Sequence, residues 1–130
     1  SKTLKSKMKT KITVIIVETP PYNRCVVPKI RLVVNVNKDN TFPSKYVTTK
    51  SIDETLFDIC SSCINVNSIW LNPQLTDLVN EGNGVVEAIY TAVLEQGTAI
   101  CRNGYELIEL NKLELKEKYA KSITSTPRSV

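Results

Sequence analysis

Few side chains in this sequence can do chemistry, and their spacing narrows what that chemistry is. Cys60 and Cys63 form a C-x-x-C pair. Such a pair can ligate zinc or cycle between dithiol and disulfide, but one pair supplies only half of a closed zinc site. Cys25 and Cys101 would raise the sulfur count to four, at a spacing that carries no ligand pattern. A redox pair wants its first cysteine at a helix N-terminus, where the dipole lowers the thiol pKa. Cys60 and Cys63 instead fall late in the helix argued below, on or beside its apolar face, and read as buried free thiols in a reducing compartment. The carboxylates that could hold a metal are Asp53, Glu54 and Asp58 on one stretch, and Glu81, Glu87 and Glu95 further on. Capping and the helix dipole account for Asp53 and Glu54, and the others read as solvated surface acids. The chain has no histidine, which removes imidazole triads and His-containing metal sites. Neither a P-loop nor a G-x-G-x-x-G motif is present. The aromatics are scattered and form no base-stacking platform, and Trp70 reads as a core plug.

Charge offers one further feature. Lys2, Lys5, Lys7, Lys9 and Lys11 follow one another with no acid between them. This is a basic arm over residues 1–9 that could touch phosphate or an acidic partner, or a solvated tail that aids solubility. The net charge of +4 is mild for a dedicated nucleic-acid binder, so nucleic acid is a weakly supported partner.

The elements that must position these groups follow from pattern. A chain of 130 residues, 42% hydrophobic and 23% charged, is one globular domain. Val, Ile and Thr make up 39 of the 130 residues, which favours a sheet-rich α+β domain over a helical one. Residues 10–18 form a strand closed by Pro20 and Pro21. Residues 24–37 form a second apolar run, interrupted at Pro28. Residues 38–40 turn, and residues 42–48 are a short extended piece. Ser51 opens a helix over about 51–65, with Glu54 completing a capping box. Ile52, Leu56, Ile59 and Cys63 share one face of it, widened by Phe57, Cys60 and Ile64. Residues 66–79 fit no single pattern; Ile69-Trp70-Leu71 is a strand or a plugging loop. Residues 80–84 turn, and 85–95 read as a long strand, although Ala, Leu and Glu leave a helix possible. Asn103-Gly104 marks a hairpin between 98–101 and 105–110. Residues 112–122 are a charged terminal helix, and residues 124–130 a disordered tail. No apolar run reaches the ~20 residues of a membrane span, and no signal peptide is visible. A soluble, cytoplasmic protein is expected.

This order resembles the Nudix fold over residues 10–123, an α/β/α sandwich around a mixed β-sheet. Residues 10–18 look like its first core strand, 29–37 like the strand into the Nudix loop, and 84–95 like the long strand after it. Residues 105–113 resemble its late strand and the step into the final helix. Residues 44–66 can be laid on the Nudix box without a gap. In that register the box's first Gly falls on Ser44 and its first Glu on Lys50. Its Arg falls on Asp58 and the next Glu on Ile59. Its Glu pair falls on Ser62 and Cys63, and its closing Gly on Asn65. Val47, Ser51, Asp53, Glu54, Leu56 and the buried face agree with the pattern; the chemical residues do not.

The resemblance therefore implies a degenerate Nudix domain that is not an enzyme, with no cofactor and no metal site. Nudix hydrolysis needs several carboxylates around Mg²⁺ or Mn²⁺, and Ile, Ser and Cys provide no such cage. The expected function is a non-catalytic module that binds a protein partner or sits in an assembly. A nucleotide or nucleotide-sugar sensor is the alternative. Nucleic-acid binding through the lysine arm, or a divergent hydrolase using Glu81, Glu87 or Glu95, ranks lower. Rich Lys, Asn and Ile usage suggests an AT-rich source such as a phage or other virus.

Overall fold

The computed structural model describes residues 8–19, 30–65, 71–95 and 100–125. In chain order its elements are β1 (Lys9–Thr19), β2 (Arg31–Asn35), β3 (Ser44–Tyr46), α1 (Ile52–Cys63), β4 (Gln74–Gly82), β5 (Val85–Glu95), β6 (Tyr105–Glu109) and α2 (Glu117–Ser125). Single 3-10 turns stand at Val36–Lys38 and Leu110–Lys112.

The strands make one mixed sheet in the order β4-β5-β1-β2-β6, with β3 also on β1. β1 and β5 run parallel along their whole length, from Lys9 beside Val85 to Thr19 beside Glu95. The other pairs are antiparallel. The far side of β1 is shared. Its first part pairs with β3 at Lys11–Thr13, and its last part pairs with β2 at Val17 and Glu18. Between them the Val14 N–H donates to the Pro43 carbonyl at 3.0 Å, so the split is closed by the chain entering β3.

β1 reads as a continuous apolar run because both of its faces are covered. Ile12, Val14 and Ile16 face one core with Leu56, Ile59, Cys60 and Cys63 of α1 and Ala88, Ala92 and Leu94 of β5. Ile15 and Val17 face a second core with Leu32, Val34, Phe42, Ile89 and Ile123. Two helices thus sandwich the sheet, the α1 side being the larger.

The local reasons are legible. Ser51 caps α1 in a full capping box, with the Glu54 N–H donating to Ser51 Oγ at 3.1 Å and the Ser51 N–H to Glu54 Oε1 at 3.0 Å. β4 and β5 join through Asn83 and Gly84, at φ 54° and 74°. Positive φ at both central residues is what a two-residue type I′ hairpin demands.

α1 itself ends close to the expected place, at Cys63 with Ile64 as its C-cap. Several other expectations need correction. The terminal helix starts at Glu117, not 112, and runs into 124–125. Leu113 and Leu115 both reach the second core, and a spacing of two suits extended chain rather than helix. Asn103-Gly104 does turn, closed by Tyr105 N–H to the Arg102 carbonyl at 3.0 Å. It makes no hairpin among the described residues, because β6 pairs with β2 and Cys101 bridges Ile64. Lys9 and Lys11 are not on a free arm but inside β1. Lys2, Lys5, Lys7, Cys25, Pro28 and Trp70 lie outside the described residues. Among the described residues, no helix is long and apolar enough to cross a membrane.

Candidate functional site

Two places gather the chemically capable side chains, one on each side of the sheet. The first is α1 and the loop before it, where the box positions fall. Ser44 opens β3 opposite Thr13 and is exposed. Lys50 Nζ donates to Asp58 Oδ2 at 2.7 Å, and Lys45 Nζ lies 3.6 Å from the same oxygen. The Lys50 bond holds the Asp58 carboxyl below its ordinary value despite some desolvation, and raises Lys50 in turn. The Ser51 N–H does the same for Glu54, lowering it.

Of the three helix-core positions of the box, Ile59 and Cys63 face inward and Ser62 does not. Ile59 is 2% exposed and Cys63 fully buried, both against Ile12, Val14 and Ile16. Ser62 is exposed, with Oγ donating to the Ile59 carbonyl at 2.7 Å. Asn65 is half-buried and its N–H donates to the Ile100 carbonyl at 2.9 Å. Cys60, Cys63 and Cys101 are free thiols. Burial pushes Cys60 up to about 11 and raises Cys63 and Cys101 as well, so they stay protonated and unreactive near neutral pH. Arg102 finishes the helix: its N–H donates to the Cys63 carbonyl at 2.9 Å and its Nε to the Ser61 carbonyl at 2.7 Å. A cation there suits the negative end of the helix dipole.

The second place centres on Glu87 of β5, expected at the surface and found 1% exposed. Its Oε2 accepts from Thr13 Oγ1 at 2.5 Å and from Tyr119 OH at 2.7 Å. Its Oε1 accepts from Lys118 Nζ at 2.6 Å, and Lys118 also reaches Glu81 Oε2 at 2.8 Å. Burial alone would raise the Glu87 pKa, but the three donors together hold it below the ordinary value. Burial and the Glu87 bond push the Tyr119 hydroxyl up to about 12. Desolvation opposes the charge on Lys118, yet its two carboxylate partners raise it above the usual lysine value.

Sequence reasoning missed this cluster and a buried pair, Glu18 Oε1 with Arg31 Nε at 2.6 Å, Glu18 being 3% exposed. One signal was present for Glu87: a lone carboxylate inside the eleven-residue run VVEAIYTAVLE. Of the other acids weighed for metal, the Glu95 side chain lies outside the described set. Among the described residues, no group of three or more His, Cys, Asp or Glu could hold a metal ion.

No family model matches the sequence, and no curated protein does. Solved structures do resemble the chain. The NUDIX domain of Shewanella oneidensis NrtR, complexed with ADP ribose, is 10% identical at a TM-score of 0.60, covering 93% of this chain and 86% of that one. The C-terminal domain of mouse MUTYH, in complex with human PCNA, is 13% identical at 0.60 over 95% of each chain. A mutT/nudix family protein from Listeria innocua is 6% identical at 0.57, over 83% and 82%. At these identities the likeness concerns fold alone: the chain has an α+β, Nudix-like fold.

Proposed function

We propose that the chain is a Nudix-like module without pyrophosphohydrolase activity, acting as a protein-interaction or assembly component. The observation that carries this reading is the closed inner face of α1. On the box register, the glutamates of the helix core fall on Ile59, Ser62 and Cys63. Ile59 offers no donor, the Cys63 thiol is buried and protonated, and the Ser62 hydroxyl is engaged with a carbonyl. Mg²⁺ takes hard oxygen ligands in near-octahedral geometry, and this set does not fit it. Lys50 and Asp58 support the register. Each carries the sign opposite to the box residue at its position, and at 2.7 Å the double exchange keeps an attractive pair. The protein complex of the MUTYH domain supports a partner-binding role for a domain of this shape.

A second reading has its own support. The NrtR domain carries ADP ribose, which favours a nucleotide or nucleotide-sugar sensor without turnover.

A thermal-shift panel separates the two: nucleoside di- and triphosphates, ADP ribose and nucleotide sugars, each with and without Mg²⁺ or Mn²⁺, with phosphate release followed in parallel. The interaction reading expects a flat panel, no release, and a stoichiometric partner in a tagged pull-down from the native source. A ligand at a hundredfold excess over Kd stabilises the native state by about 2.7 kcal/mol, so a clear shift with one ligand class favours the sensor. Metal-dependent phosphate release by the wild-type chain overturns both.

A further inference from the structure

The two cores are built differently. Among the described residues, the α1-side core contains none beyond Leu107 of β6, counting the partly buried side chains packed on it. The second core takes Leu110, Leu113, Leu115, Tyr119 and Ile123 from the last part of the chain. The Leu110 N–H donates to the Ile30 carbonyl at 2.9 Å, which ties the start of this part to the sheet. Every contact named above beyond that point is made by side chains. α2 itself has nine residues, too few for a helix that stands alone in water. Its polar attachment runs to two carboxylates: the buried Glu87, through Lys118 and Tyr119, and Glu81 of β4, through Lys118. The Tyr119 ring also meets Phe42 edge-on, with centroids 5.1 Å apart.

We infer that Leu113–Ser125 is a strap that leaves and rejoins the sheet as one unit, with Glu87 as its latch. Helix formation and docking are coupled, because α2 has no independent stability. Release uncovers Phe42, Ile89 and the Glu87 carboxylate, and leaves Glu81 as well without the Lys118 ammonium. The α1 half keeps its own core throughout. The groups facing Glu87 are Thr13 and, in register on β1, Lys11, from α2 Lys118 and Tyr119, and from β4 Glu81, which shares the Lys118 ammonium.

Hydrogen exchange read by mass spectrometry on the full chain tests this. In Lys118→Met the carboxylate stays buried without its cation, the situation that costs most. Amides of 117–125 should then exchange roughly a hundredfold faster, while those of 52–63 change less than about twofold. The double variant Lys118→Met with Glu87→Met removes the buried anion and should return α2 protection towards wild type. Tyr119→Phe keeps the ring and loses one bond to a charged group, so α2 exchange should rise roughly tenfold. Equal acceleration of 52–63 and 117–125 in Tyr119→Phe overturns the inference, because the chain would then open as a single unit. So does unchanged α2 exchange in both single variants. If Lys118→Met does not fold, Tyr119→Phe decides by the same ratio.

Discussion

The two helices cover the sheet in different ways. Under α1 the buried positions are Thr55, Leu56, Ile59, Cys60 and Cys63, and the charges stand at the rim as Lys45, Lys50 and Asp58. Under α2 a carboxylate sits at the centre, with a donor from β1 and two from α2. Directly beneath α1 the buried side chains include no carboxylate, and the one buried on that face, Glu18 at the end of β1, is held by Arg31 Nε at 2.6 Å rather than by the helix. The carboxylate buried on the α2 side is held by the helix itself. A buried ionised group is tolerated only when partnered, and Glu87 is partnered through both oxygens.

That contrast can be broken most forcefully at Ile59. Ile59→Glu restores the acid that the box register would have there, and buries it among Ile12, Val14 and Ile16. It should cost about 4 kcal/mol or more in denaturant unfolding. Ser62→Glu, three residues on and exposed, should stay within about 0.5 kcal/mol. Similar costs for the two would mean that α1 presents another face to the sheet. On the opposite side, Lys118→Met should cost about 3 kcal/mol by the same measurement, and a near-neutral result would mean that Glu87 is not held by charge.

Ser51→Ala removes the N-cap of α1 and should cost about 1 kcal/mol, read as a lowered Tm with far-UV helicity retained. The smallest effect belongs to the exposed pair. Lys50→Glu and Asp58→Lys should each lower Tm slightly, and the double exchange should recover the loss. Absence of recovery would separate the two positions energetically.

Acidity sharpens the comparison further. The Glu87 pKa is depressed on folding, so its contribution is present above the ordinary glutamate value and fades as pH falls through the lower folded one. Lys118 is raised, so its share is full below the ordinary lysine value and fades only as pH climbs through the folded one. The latch should hold steady between about pH 5 and 10. On acidification the 117–125 amides should lose protection before those of 52–63; simultaneous loss would count against a separate strap.

How far the sequence reads depends on the range of the interaction. The start of α1 was plain because Ser51 and Glu54 are three residues apart. The strand at 85–95 was legible from its β-branched and aromatic residues, although Ala, Leu and Glu within it left a helix open. The face of α1 that carries Ile59 and Cys63 was legible from spacing. β4 was not, because as an edge strand with shifts of register at Leu75/Asp77 and Asn80/Gly82 it lacks clean alternation. The start of α2 was misplaced because Lys and Glu alternate through 112–118 in a helix-like manner, while Leu113 and Leu115 are drawn to the second core as extended chain.

The amino-acid order by itself determined what local spacing encodes: the capped helix with its buried thiols, the Asn83-Gly84 turn, and the apolar strands as segments, though not their pairing, since β1 and β5 bond across most of the chain. Only the tertiary structure decided the fate of Glu87. Its partners stand 74, 31 and 32 residues away. A carboxylate inside an apolar strand is costly until Thr13, Lys118 and Tyr119 converge on it. That convergence requires β1, β5 and α2 to be in place together, a condition that no local pattern encodes.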